Sequence, residues 1–154
     1  MLSRIARTLL LSLAAAFVVA LTGCATVQTE VVGTGDLKNY KRVHIEALAE
    51  DEFQIYGALF TELTDMGMQV LATPFREPSS TDVVVKYTYD GGWDMTRYLQ
   101  SFQFQFVDAK TGRVVAVQSY KSRGLWLGVR DGRLKTAFNE LRAKNGYPPT
   151  TQFK

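Results

Sequence analysis

The stretch FQFQFVDAKTGRVVAVQ, Phe102 to Gln118, decides the fold. Phe102, Phe104 and Phe106 alternate with Gln103 and Gln105, the period of a strand with one apolar face. Asp108-Ala109-Lys110-Thr111-Gly112 is a turn sequence, with Gly112 suited to a positive φ. Val114 to Gln118 then returns as the second strand of a hairpin. Pairing Asp108 with Arg113 predicts Phe106 opposite Val115, Phe104 opposite Val117 and Phe102 opposite Ser119. That register gathers aromatics and valines on one face and leaves Gln103, Gln105 and Gln118 on the other.

Upstream, Thr81 to Asp90 alternates in the same way, with Val83, Val85, Tyr87 and Tyr89 sharing a face. Gly91-Gly92 after it permits a bulge or turn. Tyr40 to Ala47 is a further strand, with Val43, Ile45 and Ala47 on one side and Arg42, His44 and Glu46 on the other. Between these strands, Phe53, Tyr56, Leu59, Phe60 and Leu63 recur at helical spacing, so Asp51 to Met66 is read as a helix. Asp51 and Gln54 form a capping-box pattern at its start, and Gly67 ends it. Met68 to Ala72 is a short strand, followed by a loop bracketed by Pro74 and Pro78. Downstream, Leu134, Ala137, Phe138 and Leu141 make the apolar stripe of a second helix, Asp131 to Lys144, ended by Asn145-Gly146.

These elements follow the order β-α-β-β-β-β-α. One apolar sheet face and two amphipathic helices imply an α/β (α+β) two-layer sandwich: a four- to five-stranded mixed sheet with both helices on one face. The other sheet face is expected to be open and polar. The order is similar to that of small envelope lipoproteins, among them the lipopolysaccharide-assembly lipoprotein and the N-terminal domain of the translocation protein TolB. The segment Trp93 to Leu99 also resembles uncharacterised small proteobacterial outer-membrane lipoproteins.

The N-terminus carries a separate signal. Arg4 and Arg7 precede an apolar run from Thr8 to Leu21, the length of a secretory h-region and short of the roughly 20 residues of a membrane span. The run ends in Leu21-Thr22-Gly23-Cys24, which resembles the bacterial lipobox. The resemblance implies cleavage between Gly23 and Cys24 and a diacylglycerol on the sulfur of Cys24. It implies a protein held at the membrane through that lipid. Ala25, in place of the Asp that retains enteric lipoproteins at the inner membrane, points to the periplasmic face of the outer membrane. Residues 1–23 are thus read as signal, 24–37 as a lipidated tether and 38–154 as a single domain. A fully extended tether of this length reaches on the order of 40 Å. Val31-Val32 within it can instead dock as an edge strand.

The whole chain has 18 basic and 15 acidic residues, and loss of Arg4 and Arg7 leaves a mature net charge of +1. Near-neutrality and export both argue against nucleic acid as a partner. The charges divide unevenly, with a net of −7 over residues 24–96 and +8 over 97–154. This either marks a cationic face or cancels where the halves interleave. Cys24 is the single cysteine, so no intramolecular disulfide forms and packing must hold the domain.

No motif for catalysis, a cofactor or a metal stands out. His44, the one histidine, has Glu46 nearby, either an acid–base pair or a pair on an open sheet face. A zinc site needs three or four ligands, nearly all of which would be carboxylates here. Asp90 and Asp94 flank Gly91, Gly92 and Trp93, which suits a small carbohydrate hydrolase; turn acids beside an anchoring Trp have the same pattern. The more distinctive set is aromatic and cationic: Trp93, Arg97, Tyr98, Tyr120, Lys121, Arg123, Trp126 and Arg130. Trp, Tyr and Arg serve as interface anchors, and Arg suits phosphate or carboxylate groups. Large aromatics also plug the ends of cores. The expectation is a non-catalytic envelope lipoprotein that docks an envelope protein or an anionic envelope polymer. A small hydrolase using Asp90 and Asp94, or a small-ligand carrier, is the alternative.

Overall fold

The predicted hairpin and its neighbours lie at the centre of a six-stranded mixed sheet. A computed structural model describes residues 25–31, 36–71, 80–122 and 130–153, with the backbone alone for 25–31 and Asp94. The strands are β1 (Ala25–Val31), β2 (Arg42–Ile45), β3 (Gln69–Leu71), β4 (Val83–Asp94), β5 (Thr96–Asp108) and β6 (Val114–Ser122). The helices are α1 (Ile55–Asp65) and α2 (Asp131–Lys144), and a 3-10 turn spans Leu37–Asn39. The sheet order is β1-β6-β5-β4-β2-β3. β2 pairs in parallel with both β3 and β4, and the remaining neighbours are antiparallel.

From β2 onward the order and the two-layer arrangement are those expected. Val43, Ile45, Val83, Val85, Phe104 and Phe106 are fully buried beneath the helices. Phe104 stacks on Phe138 of α2 at 5.6 Å between centroids and on Phe102 at 4.9 Å. The helices are joined at their inner faces. The Arg142 guanidinium of α2 donates to Glu62 of α1, to Asp65 at 2.5 Å and to the Pro148 carbonyl at 3.0 Å. Thr150 adds its hydroxyl to Glu62 at 2.7 Å.

Three sequence readings change. The first concerns the tether. Ala25 to Val31 is an edge strand, paired with β6 from Ala25↔Ser122 to Val31↔Ala116. Its Thr and Gln content resembles a linker, yet the unpaired ladder edge of β6 supplies its hydrogen bonds. Val32, proposed to share that edge, lies outside the described residues, as do Pro74 and Pro78.

The second is the register of β6. Phe102, Phe104 and Phe106 face Tyr120, Gln118 and Ala116, one residue away from the expected pairing, and the register shifts again between Phe106 and Val107. A bulge adds a residue to one strand and breaks simple alternation. Val114 to Val117 are apolar throughout, so their own pattern does not select a face. Gln118 is fully buried on the core side rather than on the open face.

The third is the start of α1. Gln54 takes φ 53° and the helix begins at Ile55. Asp51 still caps, its carboxylate accepting from the amides of Ile55 and Tyr56 at 2.9 and 2.7 Å. It does so without the reciprocal Gln54 contact of a capping box. Gly91-Gly92 takes the bulge expected of it: the strand shifts register between Asp90 and Gly91 and then continues to Asp94.

Candidate functional site at the Ala25 end of the sheet

Strand directions bring one set of features to a single end. β1 begins there at Ala25 and β6 ends there at Ser122. The β4–β5 hairpin turns there at Met95, φ 57°, and both helices start there. The described pairing between β5 and β6 stops at Ser101↔Lys121, with Ser122 level with Gln100, so residues 91–99 of the hairpin run on past the rest of the described sheet.

The hairpin leans on the layer beneath it. Gly92 leaves space for the Tyr98 ring, since a Cβ built there would stand 2.2 Å from Tyr98 Cζ. Arg133 of α2 places its guanidinium 5.2 Å from the Tyr98 centroid and donates to the Leu99 carbonyl at 2.6 Å. Arg97 forks onto Glu52, Nε and Nη2 donating at 2.7 and 2.6 Å, which holds the Glu52 carboxyl below its usual range. The Tyr89 hydroxyl donates to the Glu50 carbonyl and accepts from the Glu52 amide. The Tyr87 hydroxyl bridges Leu48 and Asp51; burial first, then Asp51, pushes it up to about 12.

The candidate residues therefore divide. Tyr120 is buried and stacks on Phe102 at 5.2 Å, so it belongs to the core. Tyr98 is half-buried between Gly92 and Arg133. Arg97 and Arg130 are paired with Glu52 and Asp131, and Arg130 also donates to the Gln54 carbonyl at 3.3 Å. Trp93 stands free of the core at 69% exposure. Arg123 and Trp126 lie outside the described residues, as do Gly23 and Cys24.

Sequence reading missed Met95 and Leu48. Met95 is 86% exposed at the hairpin tip, and Leu48 is exposed in the loop after β2. Among the described residues the exposed large hydrophobics are Leu48, Phe60, Trp93 and Met95, so three of the four lie at this end. The signal was the apolar Met95 between Asp94 and Thr96 in an otherwise polar turn.

The chemistry candidates are engaged elsewhere. His44 lines an open groove of about 420 Å³ with Glu46, Val84, Lys86, Val107 and Asp108. Burial lowers the His44 pKa more than Glu46 raises it, which favours neutral imidazole. Glu46 pairs with Lys86 at 3.3 Å. Asp90 accepts from the Ser101 hydroxyl at 2.8 Å, while the Asp94 side chain lies outside the described residues. Among the described residues no three His, Cys, Asp or Glu side chains group to hold a metal, and no helix is long and apolar enough to cross a membrane.

No protein-family model and no curated protein matches the chain. Among solved structures it is similar to a DUF4136 family protein from Bacteroides thetaiotaomicron, with a TM-score of 0.54 and 16% identity over 80% of this chain and 96% of that one. It is similar also to a single-substitution variant of the PelC dodecamer from Paraburkholderia phytofirmans, with a TM-score of 0.50 and 14% identity over 81% and 100% of the two chains. At these identities the likeness is one of fold, shared with bacterial proteins.

Proposed function

We propose that the chain is a non-catalytic cell-envelope lipoprotein, anchored by lipid on Cys24 and serving as a binding or assembly module. The observation that carries this reading is that Ala25, the residue after Cys24 of the lipobox-like sequence, is already paired in the sheet. Such a join places the folded domain directly on its anchor, with its groove and open face free for a partner. The engagement of Glu46 by Lys86 and of Asp90 by Ser101 supports docking over hydrolysis. The ion pairs on Arg97 and Arg130 favour an envelope protein over an anionic polymer as the docked species. Ala25 supports the outer membrane as the site. Density-gradient fractionation tests the reading. Wild-type protein is expected with outer membranes and Cys24→Ser outside that fraction; wild-type protein in the soluble fraction would overturn it.

A further inference from the structure

We infer that the tip of the β4–β5 hairpin is a second membrane contact, inserting Trp93 and Met95 into the lipid surface to which Cys24 tethers the domain. The inference rests on the proposed lipidation of Cys24 and adds to it an orientation and a contact surface.

Three observations converge. Ala25, the first described residue, is already paired in the sheet, and consecutive Cα atoms are about 3.8 Å apart, so a lipid on Cys24 leaves almost no slack before the fold. The sheet end at Ala25 must then lie against the bilayer. Among the described residues the hairpin reaches furthest in that direction. Ser122, opposite Ala25, is level with Gln100, and Met95 lies five residues further on, about 17 Å of strand. The Arg97–Glu52 and Arg133–Leu99 contacts tie the hairpin to the segment before α1 and to α2.

The third observation is chemical. Trp93 and Met95 are the two most exposed large hydrophobics among the described residues, and Leu48 accompanies them. Exposed apolar side chains of this size at a membrane-facing edge gain by entering the headgroup and acyl boundary, where Trp is especially suited. A diacylglycerol holds the chain through two acyl chains, so the hairpin contact adds orientation to an attachment that is already stable. Arg97 and Arg130 beside the tip are paired with Glu52 and Asp131, so apolar insertion rather than attraction to anionic lipid is taken as the main contact. Zwitterionic vesicles should therefore suffice.

Spin labelling tests this in the full lipidated protein. The thioether on Cys24 blocks the chain's single native thiol, so an introduced cysteine takes the label alone. Trp93→Cys and Met95→Cys probe the tip, and Lys110→Cys probes the exposed turn at the opposite end. In phosphatidylcholine vesicles, labels at 93 and 95 should collide more with oxygen than with a water-soluble nickel complex. The label at 110 should show the reverse. Equal, nickel-dominated accessibility at all three sites in lipidated protein would overturn the insertion alone. Intact mass of the same samples separates the two levels: a chain without lipid would overturn the anchoring reading itself, and the inference with it.

Discussion

Ala25 lies directly opposite Ser122 in the outermost strand pair. The residue after Cys24 is thus paired into the sheet, and the final residue of β6 is at the same level. A short join of this kind fixes the orientation of a domain, where a long tether would let it tumble. Lengthening that join is therefore informative. Six Gly/Ser residues inserted between Cys24 and Ala25 should leave the melting temperature unchanged but release the hairpin labels into water, as read by nickel accessibility.

The buried ion pair between Glu62 and Arg142 is the main polar element of the core, with Glu62 fully buried. Removing one partner leaves the other charge buried and unpaired, so Glu62→Ala should cost about 3–5 kcal/mol in urea denaturation. Replacing both, Glu62→Met with Arg142→Leu, should recover a large part of that loss. A double variant as unstable as the single one would show that the Arg142 contacts to Asp65 and the Pro148 carbonyl, and the Glu62 contact to Thr150, are needed to dock the C-terminal segment.

The one-residue shift of β6 separates two substitutions that the expected register would rank the other way. Ala116 is fully buried opposite Phe106, while Val117 is half-buried opposite Gln105. Ala116→Asp should unfold the protein or nearly so, because it buries an unpaired carboxylate. Val117→Lys should stay folded. On the neighbouring strand, Phe104→Ala should cost about 3–5 kcal/mol as a buried aromatic truncation. Gln103→Ala should fall within about 0.5 kcal/mol, measured by the same denaturation.

Asp82 carries a defined acid sensitivity. The Arg42 side chain first, and then the backbone amides of Arg42 and Lys41, lower its carboxyl to about 2 against burial. A depressed carboxylate contributes stability that is complete above its ordinary value near 3.8 and is lost as pH falls through about 2. The melting temperature should therefore drop between about pH 4 and 2, and Asp82→Asn should flatten that limb. His44 acts over a higher window. Its lowered pKa means that protonation opposes folding, so stability should decline as pH falls below 6.5, and His44→Asn should remove that decline.

Much of this architecture was legible because its period is local. The alternation in Val83 to Tyr89 and Phe102 to Phe106, and the stripe Leu134-Ala137-Phe138-Leu141, each report their own face. Asp131 to Lys144 was placed to the residue. What was not legible depends on distant partners. Ala25 to Val31 is a strand because β6 offers it an edge, and nothing in its composition says so. The face of β6 depends on a bulge that four consecutive apolar residues conceal. The candidate site was half legible for the same reason. Trp93, Tyr98 and Tyr120 are similar in sequence terms, yet pairing and packing leave the first exposed, the second wedged over Gly92 and the third in the core.

The Gly92–Tyr98 approach should be sensitive to a single methyl group. Gly92→Ala forces the Tyr98 ring to move and should destabilise by about 1–3 kcal/mol, the usual cost of overpacking. Tyr98→Ala in the same chain should relieve the clash, so the two changes should be strongly non-additive in a double-mutant cycle. Additive losses would place Tyr98 away from Gly92.

The central claim is that Cys24 bears the lipid that sets the domain on a membrane. Its most direct test is labelling of growing cells with a clickable fatty acid, followed by mass spectrometry of the mature N-terminus. Wild-type protein should begin at Cys24 and carry label, and Cys24→Ser should carry none and remain unprocessed. A wild-type chain that begins at Met1 without lipid would contradict the account.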